Sequence, residues 1–142
     1  MVNDLIQSIS SSLNAEFGDS YGIYREEHTQ DQRAPCFVIR CLSSAERHFF
    51  WKRYFRENRF CVAYFPETEG KGREECDFVA ERLFSCLEYL ETGEDPVRGS
   101  NMNYEVKDGI LNFFVNYDMF VYKMSESVPA MEGVSTETSV KG

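Results

Sequence analysis

The sequence predicts an α+β fold, with two helices packed against a largely antiparallel β-sheet that contains long hairpins. Three observations carry that expectation. Two windows, residues 3–17 and 74–90, repeat apolar residues every three or four positions. Several other stretches alternate apolar and polar residues, as strands with one buried face do. Asp108-Gly109 then divides the longest alternating stretch with the dipeptide best suited to a type I′ turn. Helices covering one side of an antiparallel sheet follow from such an order of elements.

The first helix opens at Asn3, a suitable N-cap, with Asp4 placed where the helix dipole favours an acid. Val2, Leu5, Ile6, Ile9, Leu13 and Phe17 form one apolar stripe, and Gly18 supplies the stop. Residues 21–27 read as a first strand, followed by a polar loop over 28–34 that ends at Pro35. Residues 36–42 form the next strand, with Phe37, Ile39 and Cys41 on one face and Val38, Arg40 and Leu42 on the other. Residues 46–55 and 59–65 are expected to pair as a hairpin turning near Arg56-Glu57-Asn58, and Pro66 ends the run.

Residues 67–73 are a polar connector into the second helix, whose stripe is Cys76, Val79, Leu83, Cys86, Leu87 and Leu90. Glu74, Glu75, Asp77, Glu81 and Glu88 favour its outer surface, and Thr92-Gly93 closes it. The last hairpin joins 102–107 to 110–123, with Leu111, Phe113, Val115, Tyr117, Met119 and Val121 on one face. The other face, including Phe114, Phe120 and Tyr122 among Asn and Asp, is only partly apolar and suits cover by a neighbouring subunit. Residues 1–124 are expected to form a single domain and 125–142 a flexible tail without periodicity.

Composition narrows function. A chain of 142 residues with 12 Phe and 8 Tyr has material for a core of its own. Its formal charge of −9 argues against a general phosphate-binding surface, which needs Lys and Arg. The charge is also segregated: 46–59 holds five bases and two acids, whereas 67–95 holds ten acids and three bases. Five cysteines, without a C-x-x-C pair, fit reduced thiols in a cytoplasmic setting. No signal peptide or membrane span is expected.

Chemistry is hard to find. His28 and His48 lack a matched nucleophile or ligand pattern, and each reads better as a satisfied or exposed histidine. Cys61, Cys76 and Cys86 fall on or near core stripes and read as small hydrophobes. Gly70-Lys71-Gly72-Arg73 lacks the order and the hydroxyl of a phosphate loop, so a connector is the better reading. Acids on the second helix read as a solvated face rather than an acid–base pair. No catalytic residue, cofactor or metal is expected.

The most unusual segment is Arg47-His48-Phe49-Phe50-Trp51-Lys52-Arg53-Tyr54-Phe55-Arg56. Bases interleaved with aromatics suit stacking on single-stranded nucleic acid, a half-buried hairpin, or a protein interface. The acidic remainder of the molecule counts against the first of these.

Two stretches resemble a family of small tail terminator-like proteins encoded in phages and prophages of Gram-positive bacteria. One is Arg53-Tyr54-Phe55-Arg56 with Phe60-Cys61-Val62-Ala63-Tyr64-Phe65-Pro66. The other is Val97-Arg98-Gly99, Met102, Val106-Lys107-Asp108-Gly109-Ile110-Leu111 and Phe113-Phe114-Val115-Asn116-Tyr117. The likeness runs from about residue 3 to 122. It implies a virion structural protein that assembles with itself, typically as a hexameric ring, on the last ring of tail tube subunits. Such a ring stops tube growth and offers a surface to the head–tail connector. It implies the host cytoplasm during assembly and the virion tail afterwards, no membrane, and DNA passing nearby without specific binding.

Segregated charge offers the unlike patches that a cyclic ring requires. We therefore expect the interface to draw on Arg47, Phe49, Trp51, Arg53, Arg56 and Arg59 of the basic hairpin, and on Glu74, Glu81 and Glu88 of the acidic helix. Two other readings stand beside this one: a head-completion or connector protein, and an acidic regulator or DNA mimic that binds a basic enzyme.

Overall fold

Helix α1 (Val2–Phe17) seats Leu5, Ile6, Ile9, Leu13 and Phe17 in the core of a computed structural model that describes residues 2–25, 34–67, 72–93 and 95–124. Asp4 lies in its first turn, and Gly18 at φ +87° ends it, donating its N–H to Asn14 O at 2.9 Å. Asn3 sits inside the helix rather than capping it; its Oδ1 accepts from Arg25.

The remaining elements are β1 (Gly22–Arg25), β2 (Cys36–Phe50), β3 (Arg53–Phe65), α2 (Gly72–Cys86), β4 (Tyr89–Leu90), β5 (Val97–Lys107) and β6 (Ile110–Tyr122). The strands form one mostly antiparallel sheet in the order β1-β2-β3-β6-β5-β4, so the fold is α+β. The expected tail over 125–142 and the loop over 28–33 lie outside the described residues.

The chain divides into two compact units. The first takes in the residues up to Ala45 together with Glu57–Met119, and the second Glu46–Arg56 with the described residues from Phe120. All the core side chains belong to the first. There Phe37, Ile39, Phe60, Val62 and Tyr64 meet Leu111, Phe113, Val115 and Tyr117 under the stripes of α1 and α2. Each fully buried Leu, Ile, Val or Phe contributes about 1.5–3 kcal/mol of transfer free energy. Rings interlock across this core, Phe37 lying 4.9 Å from Phe17 and 5.0 Å from Tyr64.

The turn of the first hairpin differs from expectation. It falls at Trp51-Lys52, between β2 and β3, and not at Arg56-Glu57-Asn58. Asn58 is 1% exposed, its Nδ2 donating to Tyr117 O at 3.0 Å and its Oδ1 accepting from Ser44 Oγ at 2.7 Å. A polar tripeptide whose groups find partners inside the fold continues a strand as well as an apolar one does. The gap expected between residues 42 and 46 is also absent: β2 runs unbroken to Phe50, with Ser44 Oγ donating to Asn58 Oδ1.

Helix α2 also stops earlier than its stripe suggests, at Cys86 and not at Thr92-Gly93. Carbonyls beyond its end are taken by tertiary donors: Tyr117 Oη reaches Leu87 O at 2.6 Å, and the Gly99 N–H reaches Glu88 O at 2.6 Å. The chain therefore leaves the helix and pairs briefly with β5, Leu90 opposite Val97. Strand β5 starts at Val97, five residues before the expected start, and carries a register shift between Ser100 and Asn103 with Asn101 at φ +50°. Asp108 and Gly109, at φ +55° and +78°, form the turn that their identities predict.

Candidate interaction surface

The second unit is built from a two-residue turn, the strand ends that flank it and the end of β6. Trp51 takes the first position of the turn at φ +56°, a region that a bulky side chain seldom enters. Two hydrogen bonds hold the turn. His48 Nε2 lies 2.6 Å from Trp51 O, and the Lys123 N–H donates to Lys52 O at 2.9 Å.

Cations and rings interleave throughout this unit. The Arg53 guanidinium stands 4.2 Å from the Phe120 ring centroid and 5.6 Å from that of Phe49. Arg47 lies 5.1 Å from Phe55, and Lys123 4.4 Å from Tyr54. Phe120 in turn meets Phe49 and Phe55 at 5.0 and 4.9 Å. Glu46 is bracketed by Arg56, whose Nε is 3.1 Å from Oε1, and by Lys123. Over residues 46–56 and 120–124 the sequence places five cations against this one acid. Cation–π contacts orient the guanidinium groups without neutralising them, so the unit keeps its positive charge.

Large apolar side chains stay on the surface here. Phe50 is 72% exposed and Trp51 69%, while Phe49, Tyr122 and Met124 are also exposed. Of these, Phe49 and Trp51 are among the expected interface residues, Phe50 lies in the basic aromatic segment and Tyr122 on the face expected to be covered by a neighbour; Met124, two residues past the end of β6, has no signal in the sequence.

The nine expected interface residues separate between the units. Arg47, Phe49, Trp51, Arg53 and Arg56 lie in the second, and Arg59, Glu74, Glu81 and Glu88 in the first. Arg59 is half-buried, donating to Asn116 Oδ1 at 2.5 Å with its guanidinium 5.3 Å from the Phe114 ring. Glu88 lies 3.8 Å from Arg98. Glu74 and Glu81, seven residues apart on α2, share one helical face and make no hydrogen bond or ion pair among the described residues. Between them stands Phe78, 63% exposed, with the Arg82 guanidinium 5.8 Å from its ring. Helical spacing sets it off the buried stripe, four residues after Glu74 and three before Glu81, so its place on the outer face is legible in the sequence although it is not among the expected interface residues.

All five cysteines are free, and burial raises the thiol of each above its ordinary value, that of Cys86 up to about 12. A thiol held protonated is a poor nucleophile. Among the described residues no group of three or more His, Cys, Asp or Glu could hold a metal ion. No helix among them is long and apolar enough to cross a membrane.

Residues 4–129 match the family model described as "Phage tail terminator protein". No curated protein matches the chain. Solved structures similar to it include one of 11% identity, covering 85% of this chain and 97% of its own, with a TM-score of 0.39.

Proposed function

The chain belongs to the phage tail terminator family, and on that premise we propose that it caps the tail tube as an oligomeric ring, ending elongation and preparing the end for the head–tail connector. That it is a structural component of a phage tail follows from the family. The ring, its hexameric number and its seat on the tube are our reading. The observation that carries it is the family match over residues 4–129, nearly the whole described chain.

Charge supports the self-assembly part of the reading. A closed ring is made by unlike patches meeting around an axis, and this chain holds such a pair. One is the basic hairpin bearing Arg47, Arg53 and Arg56; the other is the α2 face bearing Glu74 and Glu81. The net charge of −9 also suits a wall past which DNA slides without sticking.

Electron microscopy of the protein mixed with purified tail tubes tests the function. The expected result is tubes of fixed length carrying a ring at one end. Tubes that lengthen equally with and without the protein would remove the proposal. Charge reversal at Arg53 and Arg56 should weaken ring assembly, with a shallower dependence on salt.

A further inference from the structure

Trp51 is where the second unit departs furthest from what folding alone would select. Its φ of +56° is one that Gly or Asn adopts at little cost, and its side chain is 69% exposed, so the residue gains little from burial within its own chain. Strain of this kind is unfavourable and clusters at functional sites, where the surrounding structure holds it. The turn that aims it is held at both carbonyls, by His48 on Trp51 O and by the Lys123 N–H on Lys52 O. The backbone that carries the indole is thus held before any partner arrives, with Phe50 next to it in sequence and the Lys52 Nζ 5.1 Å from its ring. An exposed aromatic on a backbone held in this way, with cations beside it, is the form of an interface anchor.

We propose that this anchor docks on the exposed face of α2 in a second copy of the chain, with Trp51 against Phe78 and Lys52 beside Glu74 and Glu81. The inference rests on the ring reading above and names the contact within it. Chemistry on both sides selects the occupant. The tip brings aromatics within a cationic unit, and the α2 face brings one exposed ring between two exposed acids, the Arg82 beside that ring being paired with Glu16. Burying Trp51 on Phe78 places rings together at the centre of the contact. The opposite charges sit at its rim, where they steer approach and exclude like-charged surfaces.

The test uses the full chain with a photo-crosslinking benzoylphenylalanine in place of Phe50, mixed with isotope-labelled chain and purified tail tubes. The expected result is an inter-copy crosslink mapping to Gly72–Cys86. Crosslinks to the tube protein or to another segment, in tubes that are capped normally, would overturn this contact and leave the ring reading intact. Failure of the unmodified chain to cap tubes would remove both. Trp51→Gly provides a second readout: about thirtyfold more protein should be needed for capping, the loss expected of a truncated anchor. Its melting temperature should stay near that of the parent. Lys52→Glu should weaken capping likewise, and Glu81→Lys in the same chain should restore it; an unrestored double variant counts against the pairing.

Discussion

The two units use the same residue types in different proportions. Each has both ring–ring and cation–ring contacts, Arg82 standing 4.2 Å from the Phe17 ring in the first and Phe120 4.9 Å from Phe55 in the second. In the first, aromatic rings cover one another: Phe17, Tyr21, Phe37 and Tyr64 form a continuous cluster, and Phe113 meets Phe84 at 5.0 Å. In the second, rings are interleaved with Arg and Lys, and Phe50 and Trp51 face solvent. The first arrangement converts aromatic surface into folding free energy. The second leaves that surface available, since cations hold the rings in place while staying hydrated at their outer edges. An aromatic content of 15% therefore serves two purposes, and position alone separates them.

The largest effect that can break this comparison comes from truncating a ring in each unit. Phe113→Ala should cost about 3–5 kcal/mol, measured as a lowered urea midpoint, because it empties a fully buried site. Phe50→Ala should change stability by no more than about 0.5 kcal/mol. Equal costs would mean that the second unit stores folding energy in its rings as the first does.

Gly99 sharpens the description of the first unit. A Cβ at this position would lie 2.9 Å from Leu87 O and 2.9 Å from Val115 Cγ2, so Gly99→Ala should destabilise by overpacking, about 1–3 kcal/mol in thermal or urea unfolding. Tyr117→Phe acts nearby by a different route. It leaves the Leu87 carbonyl without its buried donor and should cost about 1–3 kcal/mol. An unchanged midpoint for both would show that the junction after α2 is loose.

Trp51→Gly should act in the opposite sense on the second unit. Relief of a left-handed backbone at a bulky residue is worth about 1–2 kcal/mol, partly offset by the greater freedom of glycine in the unfolded chain. Stability should remain within about 1 kcal/mol of the parent while assembly falls, a separation that calorimetry and tube capping read independently.

The smallest expected effect concerns pH. Burial raises the Asp118 carboxyl above its ordinary value of 3.8, the Glu57 charge adds to this, and the Asn58 N–H donated to it at 3.2 Å opposes. The folded state therefore holds this proton more tightly than the unfolded state does. Stability relative to an uncharged side chain falls as pH rises from 3.8 through the raised folded value and stays lower above it. Asp118→Asn keeps an acceptor for Asn58 and should be at least as stable as the parent at pH 7, with the difference closing below pH 3.8. A variant that melts lower at pH 7 would show that the charge itself is needed.

How much of this was legible in the sequence varies with the range of the interactions responsible. The stripe of α1, the buried face of β6 and the Asp108-Gly109 turn follow from residue spacing and backbone preference, and each is where the residues placed it. The first hairpin turns where residue preference does not place it, because Arg56-Glu57-Asn58 has turn chemistry and Trp51-Lys52 has none. Only the partners of Asn58 from β2 and β6 make the polar tripeptide a strand. The basic aromatic segment of the candidate site was visible as composition. Phe78 was visible as a departure, an apolar residue set by helical spacing among Glu74 and Glu81 and off the buried stripe, but spacing does not say that nothing covers it.

The amino-acid sequence by itself determined the fold class, the two apolar stripes, the segregation of charge and the family resemblance that the match over residues 4–129 supports. Those features depend on neighbours three or four residues away, or on residue identity alone. Where the first hairpin turns, where α2 ends and which aromatics remain exposed were decided by the tertiary structure. Each depends on a hydrogen bond or a covering side chain supplied from far along the chain, such as Tyr117 on Leu87 and Asn58 on Tyr117, and no local preference encodes a partner at that distance.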